Sequence, residues 1–556
     1  MSPTGQPLSR ADVGIGASLA AVSLAVLLAT VEGVGCTRDE GYYFRAADLY
    51  LAWMEGAWRN LWQGRLADSL TDAAIVPYWS YNWEHPVLLK ALFGLSWKLF
   101  HDELGWLSDS TAYRLPGMLL AAAMVALVYL FGAEWHGRRV GLVAAGMVAT
   151  IPRLFHDAHL ACFDVGIATL HLVVLYAYWK GLRSVPWALV TGVAFGLALA
   201  TKLNAFFLPL ILATHAALSA WRHRGARVPR ALPVVMFLAM ATLGLPLFFL
   251  HWPYLWHDPV ARIGAYLRFH LQHVHYPVEY FGRVLSEPPF PTEFVVVMTW
   301  VTVPLATVVL MTIAVGRGVV LEAAMTAGRG VRDDPPDRRD TRLLLLLGGM
   351  VPIVVIALPG VPVFGGVKHW FTSMPCLALL AAAELDRLLV WAGRGLSWRP
   401  RAGGAAYAAI VGAVIAPGAL GIHLVHPYGI GFYNEVIGGV RGAAEKGMMR
   451  NFWGHTSRGT LSFLNERVEP GGRVFFHRTN PECYASYVRE GVLRPDIVYA
   501  YTLEDADWAT FHHQRPHAAD EYRIWSEWGS TRPEAGVYVD EVPMNLVYRR
   551  TRSDAR

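Results

Sequence analysis

The chain has 556 residues, 54% of them hydrophobic and 16% charged, where an average soluble domain carries roughly 25% charged residues. That is a membrane composition. The formal charge of +5 comes from scattered arginines with no basic block for nucleic acid, and Cys36, Cys162, Cys376 and Cys483 show no spacing that indicates a disulfide framework or a zinc knuckle.

Apolar runs recur over the first three quarters, at 12–35, 113–133, 139–154, 163–180, 185–201, 203–221, 231–250, 294–315, 342–358, 370–390 and 404–424. Each is read as a helix crossing a ~30 Å hydrocarbon core, which gives about 11 spans. The first run is a retained helix. It is too long for the h-region of a signal peptide, and "EGVG" before Cys36 lacks the large aliphatic residue of a lipoprotein site.

Residues 36–62, "CTRDEGYYFRAADLYLAWMEGAWRNLW", place Asp39 and Glu40 at the edge of the first span. Tyr43, Ala47, Tyr50, Leu51, Met54, Trp58 and Leu61 follow at helical spacing and predict an amphipathic helix at the water boundary. Two carboxylates at its start suit the helix dipole, so a plain cap is one reading of them.

The stretch 85–100, "HPVLLKALFGLSWKLF", is short for a span and carries Lys90 and Lys98. Left out of the spans, it puts Arg138/Arg139, Lys180/Arg183, Arg222/Arg224/Arg227/Arg230, Arg329/Arg332/Arg338/Arg339/Arg342 and Arg394/Arg399/Arg401 on one side of the membrane. The positive-inside rule makes that side cytoplasmic. The 85–100 segment is then interfacial or re-entrant and the N terminus is cytoplasmic. Residues 36–111, 155–162, 251–293, 359–369 and everything after 424 lie outside.

After residue 424 the texture changes. "GRVFFHRT", "PDIVYAYT", "AGVYVDEV" and "MNLVYRR" read as strands, while "RGTLSFLNERV" and "PECYASYVREG" have helical spacing. This predicts a small extracytoplasmic α/β domain with no phosphate loop, nucleophile elbow or H-E-x-x-H motif.

Ionisable residues gather on the outer side: Glu84 and His85 before a proline; Arg153, His156, Asp157, His159 and Asp164 around one span end; Lys202 in a tight turn; Lys368 and His369 in "GGVKHWF"; and Tyr280 in "LRFHLQHVHYPVEYFG". Such groups at membrane depth are expensive and are functional candidates. The plainer alternatives stay open: Asp164 as a helix cap, Lys202 as a snorkelling lysine, the histidines as polar lining.

"RDEGYYFRAADL", "WEHPVLLKALFGL", "YRLPGMLLAA", "HGRRVGLVAAG", "LACFDVGIATL", "GLALATKLNAFFLP", "KHWFTSMPCLALLAA" and "HPYGIGFYNEVIGGVRGAAEKG" occur in this order over residues 36–445. Together they resemble the GT-C superfamily of polyprenyl-phosphate-sugar glycosyltransferases, in the branch of the protein O-mannosyltransferases and the lipid A aminoarabinose transferase (glycosyltransferase family 39-like). Val87 stands where that branch carries a second proline.

The resemblance implies a mainly α, polytopic helix bundle of GT-C type over 1–424, with interfacial helices in the first outer loop and the α/β domain over 425–556. It implies an inverting glycosyltransferase of the cytoplasmic membrane. A sugar moves from an undecaprenyl-phosphate-like carrier to a lipid, protein or glycan acceptor of the envelope, on the outer face and among membrane lipids. Asp39 would be the base, Glu40 its acidic neighbour and Asp164 a second acidic residue of the catalytic set, orienting acceptor or sugar. Glu84, His85, Arg153, Asp157, Lys202, Lys368, His369 and Tyr280 would bind substrate. No cofactor is required, although the resemblance allows a divalent metal near Glu84, with His85, His156 and His159 as weak candidate ligands. The alternative is a lipid or sugar transporter or flippase with an outer regulatory domain, against which stands the absence of an internal repeat.

Overall fold

A computed structural model describes residues 7–222, 231–327, 336–395 and 400–551. The membrane part is helical and the C-terminal part is mixed. Six of the described helices are long and apolar enough to cross a membrane: Arg10–Gly33, Asp109–His136, Leu203–Arg222, Leu232–Leu250, Leu305–Thr326 and Gly404–Val425. The Phe163–Gly181 helix is buried along almost its whole length, so it forms the centre of the bundle beside Asp109–His136. Small residues allow the closest approaches. Side chains larger than glycine at 192 and 196 would collide with the backbone of Ala239 and Gly244.

Two expected spans end differently. The run expected at 294–315 is two helices, Phe294–Thr302 and Leu305–Thr326. Pro304 offers no backbone N–H and holds Val303 extended, so the apolar run breaks there and the long helix lies further along. The run at 139–154 is likewise divided, into Arg138–Ala149 and Pro152–Asp157. Of the arginines used for topology, Arg224, Arg227, Arg230, Arg329, Arg332 and Arg399 lie outside the described residues.

In the first outer loop, Arg38–Trp62 is the expected amphipathic helix, with Tyr43, Ala47 and Tyr50 buried and Trp58 and Leu61 exposed. Leu88–Trp97 follows as a helix of ten residues, which rises only ~15 Å and packs between the Arg38–Trp62 and Asp109–His136 helices.

The C-terminal sheet has five strands: β1 Arg473–Phe476, β2 Val498–Ala500, β3 Trp508–His512, β4 Ala535–Val539 and β5 Val542–Arg549. Their order is β2-β1-β3-β5-β4, with the first three mutually parallel and the last two added antiparallel. The central strand β3 is buried on both faces, with no alternation along it.

Candidate active site

Asp39 is the second residue of the Arg38–Trp62 helix. Thr37 caps that helix and completes a capping box with Glu40, whose Oε2 accepts the Thr37 N–H at 2.9 Å. The capping box turns Glu40 inward. Its carboxylate accepts from Arg114 Nε at 2.8 Å and Nη2 at 3.0 Å, and from the Ala161 N–H at 2.9 Å. Glu40 and Arg114 are both fully buried. Glu40, expected as an acidic group of the site, lines neither of the cavities beside Asp39, and both its oxygens are engaged in holding three chain segments together. Asp39, one residue earlier and about 100° round the helix, lines the cavities instead.

Asp39 stands where two chambers meet. The larger is a cavity of about 560 Å³ walled by the first outer loop, the Asp164 end of the central helix, the turn at Lys202 and the 361–369 seam. The smaller, about 90 Å³, lies between Asp39 and the C-terminal domain, which contributes Arg478, Gln514 and His517. Arg38, Asp39, Tyr276, Phe364 and Lys368 line both.

Cations and carboxylates alternate around this junction. Lys368 Nζ lies 3.5 Å from Asp39 Oδ2 and 3.7 Å from the centre of the Trp453 ring. Arg38 Nε lies 3.7 Å from Asp39 Oδ1. Deeper in, Lys202 Nζ is 2.5 Å from Asp164 Oδ1. Lys202 is thus neither alone nor merely snorkelling, and Asp164 is more than a cap. Glu84 reaches the same cavity, its Oε1 accepting from Asn82 Nδ2 at 2.8 Å. Lys90 ties that loop from below, donating to Asn82 O at 2.7 Å and His85 O at 3.0 Å.

His85 and His369 also line the large cavity. Burial, then Lys90, holds His85 well below the usual imidazole range; burial, then Lys202, brings His369 down to about 3. Both rings are neutral at physiological pH, so neither is a ready proton donor. The far wall is apolar, with Phe206, Phe207, Leu267, Leu271 and Ile356, and Phe206 and Leu271 are open to the outside.

Three expected site residues lie elsewhere. Arg153 donates through Nε to Phe432 O at 3.0 Å and stacks on Tyr433, away from both chambers. Tyr280 packs against Phe294 in the hydrophobic core, where a short antiparallel hairpin carries it inward. Asp157 is buried outside the chamber walls, and burial, reinforced by Asp164, raises it well above the usual carboxylate range.

The candidate metal ligands do not converge. Glu84 and His85 face the large cavity, His156 packs beside His455, and His159 has both ring nitrogens engaged, by Phe155 O and Thr30 Oγ1. Among the described residues His477, His517 and Asp520 come together, but the His512 N–H donates to His477 Nδ1 at 3.2 Å. That bond leaves the His477 proton on Nε2, facing Asp520 as a donor rather than a ligand.

The C-terminal domain also grips the backbone that carries Asp39. The Arg38 N–H donates to Trp453 O at 2.6 Å, Asn480 Nδ2 donates to Arg38 O at 2.8 Å, and the Cys36 N–H donates to the Tyr487 hydroxyl at 2.8 Å. Sequence reasoning missed this contribution. Trp453 and Arg478 both stand at positive φ in loops, and no sequence pattern marks either position.

Residues 84–252 match the family model described as dolichyl-phosphate-mannose-protein mannosyltransferase. None of the curated proteins matches the chain. Similar solved structures include ArnT from Cupriavidus metallidurans in the apo state, 15% identical over 97% of this chain and 98% of that one, TM-score 0.47. The same protein bound to undecaprenyl phosphate is 14% identical over 98% and 99%, TM-score 0.46. Oligosaccharyltransferase AglB from Archaeoglobus fulgidus, in complex with an inhibitory peptide and a dolichol-phosphate, is 12% identical over 90% of this chain and 66% of that one, TM-score 0.49. The family-model match takes in the end of the first outer loop and the helices behind the cavity, so over residues 84–252 the chain is similar to the dolichyl-phosphate-mannose-protein mannosyltransferases.

Proposed function

We propose that the protein is an inverting glycosyltransferase that moves a sugar from a polyprenyl-phosphate carrier to an envelope acceptor at the outer face of the cytoplasmic membrane. One observation carries this reading: Asp39 lines both a cavity that holds Lys202, Lys368 and an apolar wall and a smaller chamber bordered by the C-terminal domain. The apolar wall suits the polyprenyl tail, and Lys202 and Lys368 suit its phosphate.

In the reaction, Asp39 takes the proton of the acceptor hydroxyl as its oxygen attacks the anomeric carbon from the side opposite the phosphate. The bond from that carbon to the phosphate oxygen breaks, and the carrier phosphate leaves with the electron pair. A lipid phosphate is a good leaving group and needs no proton; Lys202 and Lys368 stabilise the charge that grows on it. Asp164 holds Lys202 in place, and Glu84 and His85 line the sugar's side of the cavity.

The test is transfer of radiolabelled sugar from a defined polyprenyl-phosphate donor to delipidated envelope fractions by purified protein, with the anomeric configuration of the product read by NMR. Retention of configuration, or a carrier moved across vesicles with its sugar still attached, contradicts the proposal.

A further inference from the structure

The smaller chamber carries more positive charge than the transfer step uses. Arg38, Lys368 and Arg478 face it, and Asp39 is the one carboxylate among its described lining residues. Arg38 and Lys368 both answer to Asp39. Arg478 does not: among the described residues no carboxylate lies within ion-pair distance of it. Its Nη2 donates to His517 Nδ1 at 3.2 Å, and its buried Nε has no partner. That bond fixes the His517 proton on Nε2, leaving it a donor. Gln514 is only 5% exposed, yet its Oε1 also lacks a partner.

Buried donors and acceptors without partners are costly, and two in one small chamber, Arg478 Nε and Gln514 Oε1, mark the place of a ligand that satisfies them. The ligand chemistry follows from the groups. A guanidinium with free donor capacity beside an imidazole N–H recognises an oxyanion, and a carboxamide oxygen accepts from a hydroxyl.

We propose that the C-terminal domain supplies the acceptor subsite, in which Arg478, with His517 and Gln514, selects an acceptor that carries an anionic group close to the glycosylated oxygen. The inference rests on the transfer reading above and adds the acceptor's charge class and the residues that read it. Arg478 follows β1 in the left-handed region, φ 62°, and the same turn carries Asn480, which bonds to the backbone beside Asp39. Acceptor recognition and placement of the base thus share one loop.

The test uses the full chain in nanodiscs saturated with polyprenyl phosphate, so that the donor cavity is filled. Glycerol phosphate, glucuronate and glucose serve as phosphate, carboxylate and neutral probes in saturation-transfer NMR. The same three head groups on lipid anchors serve as acceptors in turnover with radiolabelled donor. Binding and kcat/KM are expected at least tenfold better for an anionic probe than for the neutral one, and the phosphate and carboxylate arms identify which anion fits. Arg478→Gln should bring that ratio near one, and Arg478→Lys should restore part of it. Gln514→Glu, which adds a negative charge without touching the strained turn, should also abolish the preference. Equal use of charged and neutral probes by the parent, or a ratio unchanged in Arg478→Gln and Gln514→Glu, overturns the assignment. Transfer that proceeds without charge preference would leave the glycosyltransferase reading intact while removing this one. If no acceptor turns over, anion binding independent of Arg478 overturns it equally.

Discussion

Glu40→Gln separates structure from chemistry at the start of the first outer helix. The carboxylate and Arg114 are buried together, with bonds of 2.8 and 3.0 Å between them, and the same carboxylate accepts the N–H groups of Thr37 and Ala161. A glutamine keeps the shape but turns one acceptor into a donor facing donors, and it leaves the charged guanidinium one neutral amide oxygen beside Val34 O and Gly35 O. Breaking one side of such a pair costs about 3–5 kcal/mol, and a Coulomb estimate of about 4 kcal/mol at an effective dielectric of 20 agrees. The loss should show first around Thr37, where the thiols of Cys36 and Cys483 both donate to its carbonyl. Thiol reactivity during thermal or denaturant unfolding of the full chain in detergent reports it directly. We expect unfolding at markedly lower temperature, with at least half the loss recovered in Glu40→Leu/Arg114→Met, where no charge is stranded. A Glu40→Gln protein within about 1 kcal/mol of the parent that has lost turnover would refute the positioning role and return Glu40 to the chemistry.

Lys202→Met should weaken polyprenyl-phosphate binding about tenfold or more, the worth of one charge-assisted contact, and lower the maximal rate as well; tight binding and full turnover would confine Lys202 to its bond with Asp164. Burial holds His512 down to about 3 and His517 down to about 4, both below the unfolded value. The unfolded chain therefore binds more protons, and stability that is complete above pH 6.5 is lost as pH falls, by about 1.4 kcal/mol per unit for each histidine until its own folded value is passed. Near-UV circular dichroism of the full chain should show the C-terminal domain loosening between pH 6.5 and 4; a domain equally stable at both ends contradicts that sign. Cysteines at Ser108 and Ser526 should react with an impermeant thiol reagent from outside and one at Arg139 should not, against a low background because all four native thiols are buried; outside labelling at Arg139 overturns the orientation.

The helix that carries Asp39 was legible in the sequence because its apolar spacing and its capping residues are local signals. The chemistry around it was only partly so. Lys202 and Asp164 are 38 residues apart, and Lys368 and Asp39 are 329 apart, so each charge could be flagged but not paired. Arg153 and Tyr280 shared the polarity of their neighbours, yet a backbone carbonyl and an aromatic core claimed them. The break at Pro304 was readable, but hydropathy alone joined the helices across it. The C-terminal domain hid its part most fully. Its central strand lacks alternation because both faces are covered, and Arg478 and Gln514 gain meaning only from a docking that brings them beside Asp39.

The most direct test of the central claim is single-turnover transfer from a radiolabelled polyprenyl-phosphate sugar by purified parent protein and by Asp39→Asn, each shown by thiol protection to be folded. The account predicts product from the parent, and a chemical step slowed ~10²–10⁴-fold in the variant while carrier binding is retained, as expected when a positioned base is lost. Transfer by Asp39→Asn at the parent's rate would contradict it and remove the junction between the two chambers as the place where the glycosyl bond is made.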